Sequence, residues 1–154
     1  MVLVVLEILA VVAAGLMVGN ELTVAMFVHP TLRRAADNCH ASVRRDFAAL
    51  LGRAMPFWYV AVFLLTVAVA WIGPSFSSTD GKLLLASSLL WLLAIVYTLI
   101  FPAPLNSRIA HWQLQSLPDN WKAEALRWDG YHALRMVVLL AALFCLVAGT
   151  VVSV

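Results

Sequence analysis

The chain has 154 residues, 64% of them hydrophobic and only 12% charged, with a mean hydropathy of +0.95. Charged residues make up about 25% of an ordinary soluble domain, so composition excludes that class. A formal net charge of +2 with no basic arm gives nothing for nucleic acid to hold. Two cysteines, Cys39 and Cys145, make no disulfide framework. There is no zinc-ligand spacing, phosphate-binding glycine loop or nucleophile elbow.

Four apolar runs account for the composition: Val2–Val28, Phe57–Ile72, Leu83–Phe101 and Leu134–Val154. A span needs about 17–25 apolar residues, and the second run is near the lower limit. With no water in the bilayer to satisfy backbone polar groups, spanning segments are helices or closed barrels. Barrel alternation is absent, so the expected fold is all-α: a four-transmembrane-helix antiparallel bundle with cytoplasmic amphipathic segments, forming a single integral membrane domain over 1–154.

The first helix is expected over about 2–29. It lacks a basic leader and carries Glu7, an interfacial residue near its outer end, and so reads as a retained helix rather than a signal peptide. Asn20 and Glu21 interrupt it, and His29-Pro30 should end or kink it, because proline disfavours helix at the preceding residue. A surface helix is expected over about 36–54, where Val43, Phe47, Leu50 and Leu51 recur at helical spacing among Arg and Asp. The second span follows over about 56–73, with Pro56 in its first turn and Trp58 and Tyr59 as interfacial anchors.

Gly73-Pro74 starts a tight loop containing Ser77, Ser78, Thr79, Asp80 and Gly81, turn and capping residues. The third span is expected over about 82–102, closing at Phe101-Pro102-Ala103-Pro104. Leu105 to Pro118 should be partly helical. Asp119 or Asn120 should cap a last helix over about 120–153 whose first two turns project from the membrane.

Nine of the ten Lys and Arg residues lie in the two long connections or at the start of the last span; Lys82 alone lies on the other side. The positive-inside rule then places the long loops in the cytoplasm and both termini outside, in a membrane expected to be a bacterial inner membrane. Attraction to anionic headgroups explains most of these basic residues.

Glu21 and Arg135 each lie about 28 Å along a helix from the nearer chain terminus, at about 1.5 Å per residue. An acid and a base thus reach the same membrane face from opposite ends of the chain. Near that depth come His29, Asn106, Arg108, Trp128, Asp129 and His132. The layer is either a polar pocket with a ligand or a structural lock pairing Glu21 with Arg135; ionisable residues in a membrane are functional candidates by default. Trp128, His132 and Arg135 share one helix face at i, i+4 and i+7. Asp129, three residues before His132, is placed to orient its imidazole. His132 is a candidate general base, a metal or haem ligand, or a hydrogen-bonded interfacial residue. Copper or iron on His29, His132 and Glu21 is the metal alternative, although no paired Glu-x-x-His motif of a di-iron bundle is present. His40 and His111 are expected in loops, solvated.

The chain resembles the anthrone oxygenase-like family of small four-helix membrane proteins, most of whose members have no assigned function. The resemblance rests on His29-Pro30-Thr31-Leu32 closing the first helix, on Pro104-Leu105-Asn106 after the third, and on the Trp-x-x-x-His-x-x-Arg of Trp128, His132 and Arg135. It spans essentially the whole chain, which differs from many members in Glu21 and in its strongly basic first loop. Fungal members are implicated in oxidising anthrones to anthraquinones with dioxygen, which implies that Asn106, His132 and Arg135 occupy motif positions.

An acidic C–H on a lipophilic aromatic needs only a base to yield a carbanion that reduces dioxygen, so no cofactor is required. His132, oriented by Asp129, is the expected base. Arg135 and Asn106 would stabilise the oxyanion beside Glu21. Trp128 and Phe101 would offer flat walls, with His29 and Arg108 also contacting substrate. The expected partners are the bilayer, a small lipophilic anthrone- or quinol-like ligand and a second copy in a homo-oligomer, with no nucleic acid. The alternative is a non-catalytic protein that binds lipid, quinone or haem, or supports a membrane complex. A small transporter subunit is disfavoured by the absence of a repeat or broken span.

Overall fold

In the computed structural model, residues 1–152 are described, and among them the chain is helical with no strand. Four helical stretches, Val2–Arg34, Asp37–Ile72, Thr79–Ile100 and Trp121–Val152, are long and apolar enough to cross a membrane, as in an integral membrane protein. Residue 153, the expected end of the last helix, lies outside the described residues.

The first stretch is not one regular helix. Helix α1 (Val2–Thr23) widens into a π turn over Val24–Val28, closed by the His29 N–H on the Val24 carbonyl, and continues as α2 (His29–Arg34). The expected stop at His29-Pro30 is therefore passed. A proline ring clashes with the carbonyl four residues back, here Met26, and a widened turn at that point makes room for it. The helix ends at Ala35, whose ψ of 159° is extended.

Helix α3 (Asp37–Ile72) corrects a second expectation, because surface helix and second span are one rod running through Pro56. Pro56 removes the donor that the Gly52 carbonyl would otherwise receive. Both residues are exposed, so that carbonyl is not stranded in the core. The face of 37–54 that packs on protein is not the expected stripe of Val43, Phe47, Leu50 and Leu51 but the one carrying the buried His40, Ala41, Arg44 and Ala48, while Leu50 is exposed.

Ser78 caps α4 (Thr79–Ile100), its Oγ accepting the Gly81 N–H at 3.3 Å. Pro102 opens the short α5 (Pro102–Ala110). A non-helical segment leads to α6 (Trp121–Val152), entered through Asn120, whose carbonyl accepts the Glu124 N–H at 3.0 Å.

Contacts order the bundle. Trp58 Nε1 donates to the Ala13 carbonyl at 3.2 Å and Asn20 Nδ2 reaches Met55 Sδ at 4.0 Å, so numbers fall along α3 as they rise along α1. Ser87 Oγ donates to the Ala142 carbonyl at 2.8 Å, while Tyr97 Oη reaches the Tyr131 carbonyl at 3.4 Å, which orders α4 against α6 likewise. Small residues permit these approaches: a Cβ added at Gly149 would lie 2.9 Å from Leu84.

Two cores result. One, around Met17, Val62, Trp91 and Leu139, fills the four-helix section. The other, around Leu105, Ile109, Trp112, Trp121 and Trp128, fills the end where α3, α5 and α6 meet. Large apolar residues such as Ile8, Leu64, Trp71, Val137 and Phe144 face outward, as lipid contact requires.

Candidate functional site

Between the two cores α1 and α6 bring three ionisable side chains together. Arg135 Nη2 donates to Glu21 Oε2 at 2.7 Å and also contacts His132 Nδ1 at 3.2 Å. His132 Nε2 lies 2.9 Å from the Glu21 backbone carbonyl. A guanidinium is only a donor, so Nδ1 must accept, and Nε2 carries the ring proton and donates to the carbonyl. The imidazole is thereby neutral, with its tautomer set by α1. Glu21 is 3% and His132 3% exposed, inside apolar helix, so each charge depends on its partner.

Beside this cluster is a cavity of about 520 Å³, within the ordinary range of small-molecule sites, about 300–1,000 Å³. Glu21, His132, Arg135 and Trp128 line it from α1 and α6. The opposite wall is largely apolar: Met55, Pro56, Tyr59 and Val60 of α3, Ile95, Thr98 and Leu99 of α4, and Pro102 and Asn106 of α5. Asn106 Nδ2 donates to the Ala48 carbonyl at 2.9 Å. It fits there because residue 52 is glycine; a Cβ at Gly52 would lie 2.6 Å from Asn106 Nδ2.

Other expected contacts fall elsewhere. Phe101 lies outside the cavity lining and packs on Tyr97 and Tyr131, with centroids 5.2 and 5.8 Å away. Arg108 pairs with Glu124 at 3.1 Å on the surface. His29 sits behind the wall, its ring edge-on to Trp128 and His132 at 5.0 and 4.8 Å. Asp129 does not orient His132. Its Oδ1 takes Arg44 Nη1 at 2.7 Å and lies 3.4 Å from His29 Nδ1, with Arg33 Nε 3.8 Å from Oδ2. The buried guanidinium of Arg44 needs a counter-charge, and the short Asp129 side chain supplies it.

His40 is buried rather than solvated: it accepts from Arg44 Nε at 3.1 Å and meets the Trp121 ring edge-on. His111 is exposed, at the rim of the cavity. Two participants escaped the sequence. Arg44 lies over the Trp128 ring, 5.3 Å from its centroid, and Arg135 lies over the ring of the buried Tyr59 at 5.5 Å. The i, i+4 spacing of His40 and Arg44 is the one available signal for the former; Tyr59 was indistinguishable from an interfacial anchor.

The proposed metal set does not fit. Among the described residues no three His, Cys, Asp or Glu side chains converge to hold an ion. Both His132 nitrogens are engaged, so iron, copper or haem would have to displace Glu21 or Arg135.

Fold and site define a four-helix membrane protein with a buried acid–imidazole–guanidinium cluster at one wall of a mostly apolar cavity. A family model described as anthrone oxygenase matches residues 47–145, and the chain belongs to that family. The match includes Asn106, Trp128, His132 and Arg135 and leaves Glu21 and His29 outside. No curated protein and no solved structure matches the chain.

Proposed function

We propose that the protein binds a flat, lipophilic aromatic molecule of the anthrone type and oxidises its CH2 group with dioxygen. The observation that carries this is the placement of Glu21, His132 and Arg135 on the wall of a cavity whose other surfaces are mostly apolar. His132 Nδ1 is the unprotonated nitrogen and takes the acidic C–H proton, while Glu21 Oε2, 3.4 Å away, holds the imidazolium that forms. For Nδ1 to be free, Arg135 first turns its N–H to the carbonyl oxygen of the ligand, where the enolate charge then develops. The carbanion reduces dioxygen by forming a C–O bond. Protonation by His132 gives a hydroperoxide, which loses water to leave a carbonyl. One CH2 and one O2 thus become one C=O and one H2O. Trp128 supplies the flat wall. The nine basic residues toward this end support a site on the cytoplasmic side of an inner membrane.

Anthrone oxidation by purified protein in nanodiscs, followed by oxygen uptake and anthraquinone absorbance, tests the proposal. His132→Ala should lower turnover by about 10²–10⁴-fold. Wild-type rates no higher than in empty nanodiscs would remove the oxygenase assignment. A second function, binding of a quinone or lipid without turnover, is favoured by one contact: Arg135 already occupies Nδ1, the nitrogen a base needs. Quinone co-purifying with inactive protein would select it.

A further inference from the structure

The cavity has two kinds of rim. At one end Arg53 and His111, both exposed, border it. On its side it is bordered by Val60 of α3 and Leu99 of α4, which are 48% and 65% exposed. Unlike Arg53, Val60 falls in the apolar run Phe57–Ile72 and Leu99 in Leu83–Phe101, the parts of these candidate spans suited to contact with lipid. We infer that the ligand enters sideways from the bilayer, through a gap between α3 and α4 bordered by Val60 and Leu99. This inference rests on the proposed binding of a lipophilic ligand at the same site and adds its source.

Three features converge on that route. The rim is apolar while the far wall carries Glu21, His132 and Arg135, so a ligand with a flat apolar body and one polar end passes through lipid-like surroundings first and meets hydrogen-bonding groups last. Pro56, one turn before Val60 and also lining the cavity, leaves α3 without the hydrogen bond that would join residues 52 and 56. That makes this stretch of α3 the easiest part of the gap to bend. Finally, a molecule soluble in the bilayer is concentrated there and need not cross water to reach the site.

Accessibility of a cysteine at Thr98, a cavity-lining position on α4, tests the route without requiring turnover. The native thiols are first removed as Cys39→Ser and Cys145→Ala, and Thr98→Cys is introduced in full-length protein in nanodiscs. N-phenylmaleimide, neutral and membrane-soluble, should label it. Adding Val60→Trp and Leu99→Trp should slow that labelling several-fold while leaving the rate with a negatively charged methanethiosulfonate unchanged. Leu64→Trp, at an outward position on α3 that does not line the cavity, should change neither rate. Equal N-phenylmaleimide rates with and without the paired tryptophans would overturn lateral entry, as would failure of this reagent to label residue 98. Gated labelling in a protein inactive on anthrone would retain the route and remove only the oxygenase assignment.

Discussion

Glu21 and Arg135 are buried so deeply that neither tolerates loss of the other. Removing one partner of a buried pair costs about 3–5 kcal/mol, whereas replacing both by apolar groups is often neutral or stabilising. Glu21→Leu should therefore lower stability by about 3–5 kcal/mol, and Glu21→Leu with Arg135→Leu should recover most of it, measured by chemical unfolding in detergent. Equal losses in the single and double variants would show that the loss does not come from stranding the Arg135 charge. Gly52 sets a different test. Gly52→Ala adds about 1 kcal/mol of helix propensity but drives its Cβ into Asn106 Nδ2, with a hydrogen bond of about 1 kcal/mol at stake. Stability should stay nearly constant while affinity for a lipophilic aromatic falls; unchanged affinity in a titration would place Asn106 outside ligand binding. Glu21 and Arg135 were found from counting residues along helices, because depth follows directly from rise per residue. The partner of Asp129 was not, because Arg44 lies on a segment whose packing against α6, rather than its depth, brings the two together.

At the scale of elements, the four spans were legible because apolar length is a property of contiguous sequence. Their ends were less so. Proline normally marks a boundary, and both expected breaks, at Pro30 and Pro56, lie inside helix: the first beside a π turn, the second where an exposed carbonyl tolerates the missing donor. Pro56→Ala restores that donor and should stabilise α3, by up to about 3 kcal/mol if the proline carries its full interior cost. It should also slow entry of N-phenylmaleimide if α3 bends to admit it. Where α4 meets α6 the tolerance is small. Gly149→Val places a Cβ 2.9 Å from Leu84 and 3.2 Å from the Asp80 carbonyl, and overpacking of this kind costs about 1–3 kcal/mol. An unshifted unfolding midpoint would mean that the two helices separate freely.

The whole molecule joins two unlike structures. A lipid-facing bundle held by small residues and outward apolar side chains sits on a second core of three tryptophans with Leu105 and Ile109. The site lies where they meet: the first core supplies apolar helix ends, and the second fixes Trp128 and, through Asp129, the base of α6. Asp129→Ala should therefore destabilise the protein by about 3–5 kcal/mol by stranding the buried Arg44. The effect on stability should exceed that of Arg108→Ala, whose surface pair is worth about 0–1 kcal/mol. The same unfolding measurement compares them, and equal losses would contradict Asp129 as the counter-charge that buried Arg44 needs.

From the amino-acid order alone came the membrane environment, the four helices, the depth at which acid and base arrive and the family resemblance, because these depend on composition, periodicity and short motifs. Tertiary structure decided which side chains share a wall. His132 was turned toward Glu21 instead of Asp129, Phe101 and Arg108 were set apart from the cavity, Tyr59 was brought into its lining, and Arg44 was set against Trp128. The division has a physical origin: hydrophobicity and helical rise are summed along neighbouring residues, whereas a hydrogen bond between helices depends on rotation and packing that no single segment contains.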